Sequence, residues 1–165
     1  MNLALIFAGG TGTRMNSKTK PKQFLELNGK PIIIHTIELF ESHPEIDAIA
    51  VVCLESWIGY LNELLERFRI KKVKYVVPGG ETGQQSIRNG LTAFWDDQDI
   101  PRDSLVLIHD GVRPLINEDI ITRSIECAKQ YGNAITVTPA IETIITVSED
   151  DSVDQIMDRL SLIHI

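Results

Sequence analysis

The chain has 165 residues, of which 43% are hydrophobic and 24% are charged, a composition typical of a folded globular protein. Its formal net charge of -7 argues against a general nucleic-acid binder or a membrane-surface binder, so any phosphate binding must depend on local cations. Two cysteines without motif spacing, no signal-like leader and no membrane-length apolar segment predict a cytoplasmic protein.

An apolar run near the N-terminus, Leu3 to Ala8, predicts a buried strand that leads into a glycine- and cation-rich segment. The glycines within residues 9–12 allow backbone N–H groups to approach an anion closely, because no Cβ intervenes. Arg14 and Lys22 add positive charge, so this segment predicts a phosphate-binding loop. The spacing fits neither the dinucleotide-binding fingerprint nor the P-loop. A plain turn with solvated cations is the alternative interpretation.

Strands and helices alternate along the rest of the chain. Further strands are predicted at Ala48 to Leu54, Val73 to Val77, Leu105 to Ile108, Ala134 to Thr138, Ile141 to Val147 and Val153 to Met157. Helices are predicted at Pro31 to Ser42, from a Ser56 cap to Phe68, Gly83 to Trp95, and from an Asn117 cap to Tyr131. This alternation predicts a three-layer α/β fold, with a mainly parallel sheet and helices on both faces.

Three chemically suggestive segments each follow a predicted strand. Gly9 to Arg14 follows the first strand, Gly79 to Ser86 the third, and His109 to Pro114 the fourth. Because ligands of parallel sheets bind beyond the carboxyl ends of the strands, we expect these segments to meet at one edge.

The second and third of these segments suggest particular chemistry. Pro78 to Ser86 contains three glycines with amide and hydroxyl side chains, which can hydrogen-bond to the edge of a pyrimidine. A cap for the helix beginning near Gly83 is the alternative. Asp110 ends a strand where its carboxylate could hold Mg²⁺ together with waters and phosphate oxygens, although a loop role is common for such a residue. His109 has no evident triad partner, so we expect a structural role for it.

Several motifs together resemble the N-terminal signature of the sugar- and polyol-phosphate cytidylyltransferases, the 2-C-methyl-D-erythritol 4-phosphate cytidylyltransferase-like family. The motifs are Ala8-Gly9-Gly10-x-Gly12-x-Arg14-Met15, Pro21-Lys22-Gln23-Phe24, Gly29-Lys30-Pro31 and His35-Thr36. Residues 82–90, 109–114 and 138–143 resemble the ribitol branch of the family, since the methylerythritol branch usually has Glu-Arg in place of Thr82-Gly83. The resemblance implies a Rossmann-like fold of the nucleotide-diphospho-sugar transferase type.

The resemblance also implies a reaction and a set of site residues. The reaction is transfer of CMP from CTP to ribitol 5-phosphate with Mg²⁺ as cofactor, giving CDP-ribitol for a cell-wall or capsule polymer. The implied catalytic residues are Arg14 and Lys22. The implied nucleotide-binding residues are Ala8, Gly9, Gly10, Thr11, Gly12, Gly80, Glu81 and Ser86. The implied acceptor-binding residues are Asp110, which is also the implied metal ligand, Arg113, Thr143 and Arg159.

Three other functions are compatible with the same residues. The acceptor could be 2-C-methyl-D-erythritol 4-phosphate, as in isoprenoid synthesis. The chain could also be a non-catalytic nucleotide-binding domain, or an α/β domain whose loops are only turns. Offering both acceptors with labelled CTP distinguishes the first of these, and CTP binding without pyrophosphate release identifies the second.

The resemblance covers residues 1–159, which we expect to form one cytidylyltransferase domain that is incomplete at its C-terminus. Residues 160–165 resemble the translated end of an adapter used in sequencing libraries, so we expect them to be a non-native tail. We therefore expect this chain to be weakly active or inactive by itself. Because the segment from Val137 to Met157 resembles the start of a dimer-forming arm, we expect a homodimer for the full-length protein.

Overall fold

The computed structural model describes residues 1–10, 20–139, 143–158 and 163–164 of the chain. The strands are β1 (Asn2–Ala8), β2 (Glu26–Leu27), β3 (Lys30–Pro31), β4 (Ala48–Cys53), β5 (Val73–Pro78), β6 (Leu105–Asp110), β7 (Thr138–Pro139), β8 (Ile145–Val147), β9 (Val153–Ile156) and β10 (Ile163–His164). The helices are α1 (Ile32–Ser42), α2 (Ile58–Arg67), α3 (Gly83–Asp96) and α4 (Glu118–Tyr131), with short 3-10 turns at Lys22–Phe24 and Glu55–Trp57. No helix in the described ranges is long and apolar enough to cross a bilayer. The chain forms two compact units, Met1–Ile125 and Glu126–Ile165.

A four-stranded parallel sheet of order β5-β4-β1-β6 forms the centre of the first unit. The register pairs Ala8 at the end of β1 with Cys53 of β4, and Cys53 with Pro78 of β5. On the other side of β1, Phe7 pairs with Asp110 at the end of β6. The carboxyl ends of all four strands therefore line up at one edge of the sheet.

The core lies on both faces of this sheet. Along β1, Ala4 and Ile6 point to a cluster that includes buried residues of α1, α2 and α4, whereas Leu3 and Leu5 point to a cluster with Phe94 of α3. Strand β4 is buried at every position, as expected of a central parallel strand covered on both faces. The predicted three-layer arrangement is confirmed.

Two of the predicted helix starts have different outcomes. The Asn117 cap of α4 is confirmed, because the Ile120 N–H donates to Asn117 Oδ1 over 3.0 Å. The predicted Ser56 cap of α2 is wrong. Residues Glu55–Trp57 form a 3-10 turn, closed by the Trp57 N–H on the Leu54 carbonyl over 2.9 Å, and α2 begins after it without a side-chain cap.

The second unit contains short antiparallel pairs, β8 with β9 and β7 with β10. The predicted strand from Ala134 to Thr138 is wrong for most of its length. Only its last residue, Thr138, lies in a strand, the two-residue β7. Its apolar side chains Ile135 and Val137 are exposed, so no buried sheet face holds this run extended. The next predicted strand is shortened to Ile145–Val147, and its residues 141–142 lie outside the described ranges.

Candidate functional site

Two glycines bring the loops after β1 and β5 into direct contact. A Cβ added at Gly9 would lie 3.1 Å from Ser86 Oγ and 3.4 Å from Gly79 Cα. A Cβ added at Gly79 would lie 3.2 Å from Gly9 Cα. Strand β4 lies between these strands, and the Gly79 N–H donates to the Cys53 carbonyl at its end over 2.8 Å. The two loops therefore close over the end of β4, at a distance that leaves little room for side chains.

The loop after β5 is shaped by hydrogen bonds to the start of α3. The Thr82 hydroxyl caps α3 by accepting from the Gln85 N–H over 3.1 Å. Ser86 is only 3% exposed, and its hydroxyl accepts from the Gly80 N–H and donates to the Thr82 carbonyl, each over 3.0 Å. The Glu81 N–H donates to Gln85 Oε1 over 3.0 Å. The helix-cap alternative is thus confirmed for Thr82, and Ser86 fixes the shape of the loop from within.

The turn after β6 is fixed against the end of β1. The Gly111 N–H donates to the Phe7 carbonyl over 2.9 Å, and a Cβ added at Gly111 would lie 2.9 Å from Ala8 Cβ. The buried Thr36 hydroxyl of α1 donates to the Gly111 carbonyl over 3.0 Å. Strand ends β5, β1 and β6 are therefore joined by direct contacts on either side of β1.

Asp110 lies at this turn, and its carboxylate is held on both oxygens. Oδ1 accepts from the Val112 N–H over 3.1 Å, and Oδ2 accepts from Arg113 Nε over 3.2 Å. Each oxygen keeps a second lone pair, and the side chain is 28% exposed. Mg²⁺ commonly binds one or two carboxylates together with waters and phosphate oxygens. The Asp110 carboxylate therefore fits the chemistry of a protein ligand for such an ion. The described residues contain no group of three or more His, Cys, Asp or Glu side chains that could hold a metal alone.

His109 precedes Asp110, and its side chain packs against neighbouring residues of the protein. Its ring packs 5.3 Å from the Phe40 ring, and Nε2 lies 3.0 Å from the Arg113 carbonyl oxygen. Since that oxygen can only accept, Nε2 carries the proton. Burial lowers the pKa of His109, and the hydrogen bond to the Arg113 carbonyl opposes this shift in part. These contacts support the structural role that we expected.

Cys53 ends β4 beneath the two glycine loops. Burial raises the pKa of its thiol to about 11, so the sulfur stays protonated at neutral pH. The residue packs as a small hydrophobe within the core.

Lys22 begins a 3-10 turn that is attached to the end of β1. The next residue, Gln23, is 1% exposed, and its Nε2 donates to the Ala8 carbonyl over 2.7 Å and to the Gly10 carbonyl over 3.3 Å. The Phe24 ring then stacks on Trp57 with 4.9 Å between centroids. Within the described ranges, no carboxylate forms an ion pair with Lys22. Gln23 lies within a motif of the family resemblance, but neither its residue type nor its spacing predicts this role.

The structure brings together most of the described residues that the sequence singled out. Those around the edge of the first unit are Ala8, Gly9, Gly10, Lys22, Gly80, Glu81, Ser86 and Asp110. Arg113 pairs with Asp110 and is 74% exposed, and Thr143 is an exposed residue of the second unit. The remaining predicted residues, Thr11, Gly12, Arg14 and Arg159, lie outside the described ranges.

A parallel sheet with helices on both faces and glycine loops at its strand ends defines a Rossmann-like α/β protein. The chain belongs to the 2-C-methyl-D-erythritol 4-phosphate cytidylyltransferase (IspD) family, whose sequence model matches residues 2–165.

Known relatives of the chain are named for two different acceptor substrates. A ribitol-5-phosphate cytidylyltransferase of Vibrio parahaemolyticus is 58% identical over 159 residues, which are 96% of this chain and 66% of the relative. A 2-C-methyl-D-erythritol 4-phosphate cytidylyltransferase of Clostridium acetobutylicum is 40% identical over 163 residues, 98% of this chain and 68% of the relative. The chain thus spans about two thirds of the length of these relatives.

A solved structure has a similar fold. The crystal structure of 4-diphosphocytidyl-2C-methyl-D-erythritol synthase from Anaerococcus prevotii has a TM-score of 0.76 at 26% identity. The similarity covers 98% of this chain and 65% of that one.

Proposed function

We propose that the full-length protein transfers CMP from CTP to ribitol 5-phosphate, forming CDP-ribitol and pyrophosphate. The observation that supports this most is the contact of two glycine loops and an aspartate-containing turn at the ends of β5, β1 and β6. Family membership supplies the reaction type, and the more similar of the two relatives above is named for ribitol 5-phosphate.

The proposed reaction is a direct displacement at phosphorus. A phosphate oxygen of ribitol 5-phosphate forms a new bond to the α-phosphorus of CTP, while the bond from that phosphorus to the bridging oxygen of the β-phosphate breaks. Pyrophosphate leaves with the electron pair of the broken bond. No covalent enzyme intermediate is required, so the protein acts by positioning its substrates and stabilising charge.

Backbone N–H groups and cations would stabilise that charge. We assign the triphosphate to the loop beginning at Gly9 and Gly10, where a backbone without side chains can approach an anion. Lys22, whose turn is bonded to the same loop through Gln23, would oppose negative charge on the α-phosphate and the leaving group. Arg14 shares this role by the family resemblance. Mg²⁺, held in part by Asp110, would neutralise charge on the phosphate oxygens.

The remaining site residues receive roles from the family resemblance. Gly80, Glu81 and Ser86 would recognise the cytosine base, and Ser86 also fixes the shape of their loop. The proposed contacts to the acceptor come from Asp110, Arg113, Thr143 and Arg159. Homodimerisation, a cytoplasmic location, the domain limits of 1–159 and independence of nucleic acid and membranes remain predictions from the sequence.

A competition between acceptors tests the proposal. The full-length protein is incubated with α-labelled CTP, Mg²⁺ and either ribitol 5-phosphate or 2-C-methyl-D-erythritol 4-phosphate, and the labelled product is separated from CTP. We expect efficient formation of CDP-ribitol. Preferential use of methylerythritol phosphate would instead support the acceptor named by the family model and by the Clostridium relative. CTP binding without pyrophosphate release would refute a catalytic role.

A further inference from the structure

We propose that Gln23 is a positioning residue, which fixes the Lys22 turn against the phosphate loop so that the lysine charge is oriented before CTP arrives. The inference rests on the proposed function, because it assigns Lys22 to the phosphates of CTP. It concerns a buried amide to which neither the sequence analysis nor the family resemblance gives a role.

The orientation of the Gln23 amide follows from its partners. Both partner atoms, the Ala8 and Gly10 oxygens at 2.7 and 3.3 Å, are carbonyl acceptors, so only the NH₂ end of the amide can face them. The two protons of that group meet two acceptors. These acceptors flank Gly9, the residue whose backbone contacts the loop after β5. One side chain thereby connects the start of the phosphate loop to a residue thirteen to fifteen positions further along the chain.

The other side of Lys22 is held by aromatic packing. Phe24 is fully buried, stacks on Trp57, and meets the Tyr60 ring edge-on with 5.4 Å between centroids. The Phe24 N–H closes the turn by donating to the Pro21 carbonyl over 2.9 Å. Trp57 and Tyr60 thus anchor the turn to the segment after β4. Lys22 is left as the partly exposed residue of a turn whose next two side chains are buried.

Gln23 does not itself qualify as a contact for substrate. It is 1% exposed, and its donor protons are used within the protein. Its effect on the reaction would pass through the placement of Lys22. A displacement of about 1 Å in such a group can reduce a rate on the order of 100-fold.

Kinetics of the full-length protein test this role with CTP and ribitol 5-phosphate. Gln23→Met keeps the volume and removes both hydrogen bonds, and Gln23→Asn keeps the amide but sets it back by one methylene. Gln98→Met, at an exposed position beyond the C-terminal end of α3, is the matched control. We expect kcat to fall about 10- to 100-fold in both Gln23 variants with circular dichroism unchanged, and the control to match wild type.

A double-mutant cycle separates positioning from general damage. In a Lys22→Met background, the added Gln23→Met change should reduce kcat less than about 3-fold, because the residue that it positions is already gone. An equal loss in both backgrounds would show that Gln23 acts through overall stability and would overturn the proposal. So would a kcat within 2-fold of wild type in folded Gln23→Met or Gln23→Asn.

A measurement without substrate keeps this inference distinct from the proposed function. If the wild-type protein makes no CDP-ribitol, the proposed function fails by itself. Amide hydrogen exchange at Phe24 and Leu25, whose N–H groups donate within the turn to the Pro21 and Lys22 carbonyls, then tests Gln23 alone. We expect exchange to accelerate at least 10-fold in Gln23→Met and to stay unchanged in Gln98→Met. Unchanged exchange in Gln23→Met would refute the claim that this side chain holds the loop and the turn together.

Discussion

Lys22 stands out among the described residues because its turn is fastened to the glycine loop while no carboxylate there neutralises its charge. For the full-length protein, we predict that Lys22→Ala reduces kcat on the order of 100- to 1,000-fold, as expected when one preorganised charge contact is removed. The free energy of unfolding should change little, because the side chain is partly exposed. Steady-state rates and urea denaturation measure the two quantities.

The matched control is Lys74→Ala, which removes the same charge from an exposed position on β5. It should retain wild-type turnover. CDP-ribitol production by Lys22→Ala at the control's rate would remove Lys22 from the mechanism.

His109 supplies a pH prediction, because burial lowers its folded-state pKa below the ordinary value of 6.5. Between the folded pKa and 6.5 the unfolded chain binds more protons than the folded chain, so stability rises with pH in that window. Stability should therefore decline as pH falls from 6.5 through the folded pKa of His109. His109→Gln, which can still donate to the Arg113 carbonyl, should show a flatter decline in urea midpoints between pH 7.5 and 5. Identical slopes in the two proteins would contradict the assignment.

At the scale of single residues, the sequence predicted what local chemistry decides. The glycines after β1 and β5, the aspartate at the end of β6 and the structural histidine all follow from residue type and position within the pattern. The role of Gln23 could not be predicted, because it depends on two carbonyl oxygens that come within reach only after the chain folds. The hydrogen bonds of the Ser86 hydroxyl with Gly80 and Thr82 could not be predicted either, because they too form only in the folded loop.

Helix α3 packs against the sheet through a glycine. A Cβ added at Gly90 would lie 2.7 Å from Leu5 Cδ1 and 2.8 Å from Val52 Cγ2, both of which belong to buried core residues. We predict that Gly90→Ala destabilises the fold by about 1–3 kcal/mol, the usual range for an overpacked core. Thermal or urea denaturation of the purified protein measures this.

The matched control for Gly90→Ala is Gly59→Ala in α2, where an added Cβ would meet nothing within 4 Å. That variant should leave stability unchanged or raise it by up to about 1 kcal/mol, since alanine favours helix more than glycine does. If both variants were equally stable, the close contact of α3 with β1 and β4 would be refuted.

At the scale of elements, hydrophobic periodicity predicted the strands of the main sheet and the four helices, with differences of one or two residues at their ends. Hydrophobic periodicity failed where an element depends on hydrogen bonds that the pattern of side chains does not show. Residues 134–137 carry alternating apolar side chains but form no strand in the described structure, because a strand requires a ladder beside it. The start of α2 also differed, since the 3-10 turn at Glu55–Trp57 uses backbone hydrogen bonds that side-chain patterns do not reveal.

At the scale of the whole molecule, the alternation of strands and helices predicted a parallel sheet, and that class of sheet predicted where the ligand would bind. The order β5-β4-β1-β6 was not predicted, and it is this order that sets the loop after β5 on one side of β1 and the Asp110 turn on the other. The candidate site residues lie in separate segments of the sequence. The strand order brings these segments together at one edge of the sheet.

Mapping CTP onto the chain by two-dimensional amide NMR tests this arrangement most directly. Upon addition of CTP with Mg²⁺, we predict shifts at Gly9, Gly10, Gly79, Gly80 and Asp110, at the carboxyl ends of the strands, saturating together with one affinity. Amides at the opposite ends, such as those of Asn2, Ala48 and Leu105, should stay in place. Shifts centred on that opposite edge, or no shifts at the glycine loops at saturating CTP, would contradict a nucleotide site at these strand ends.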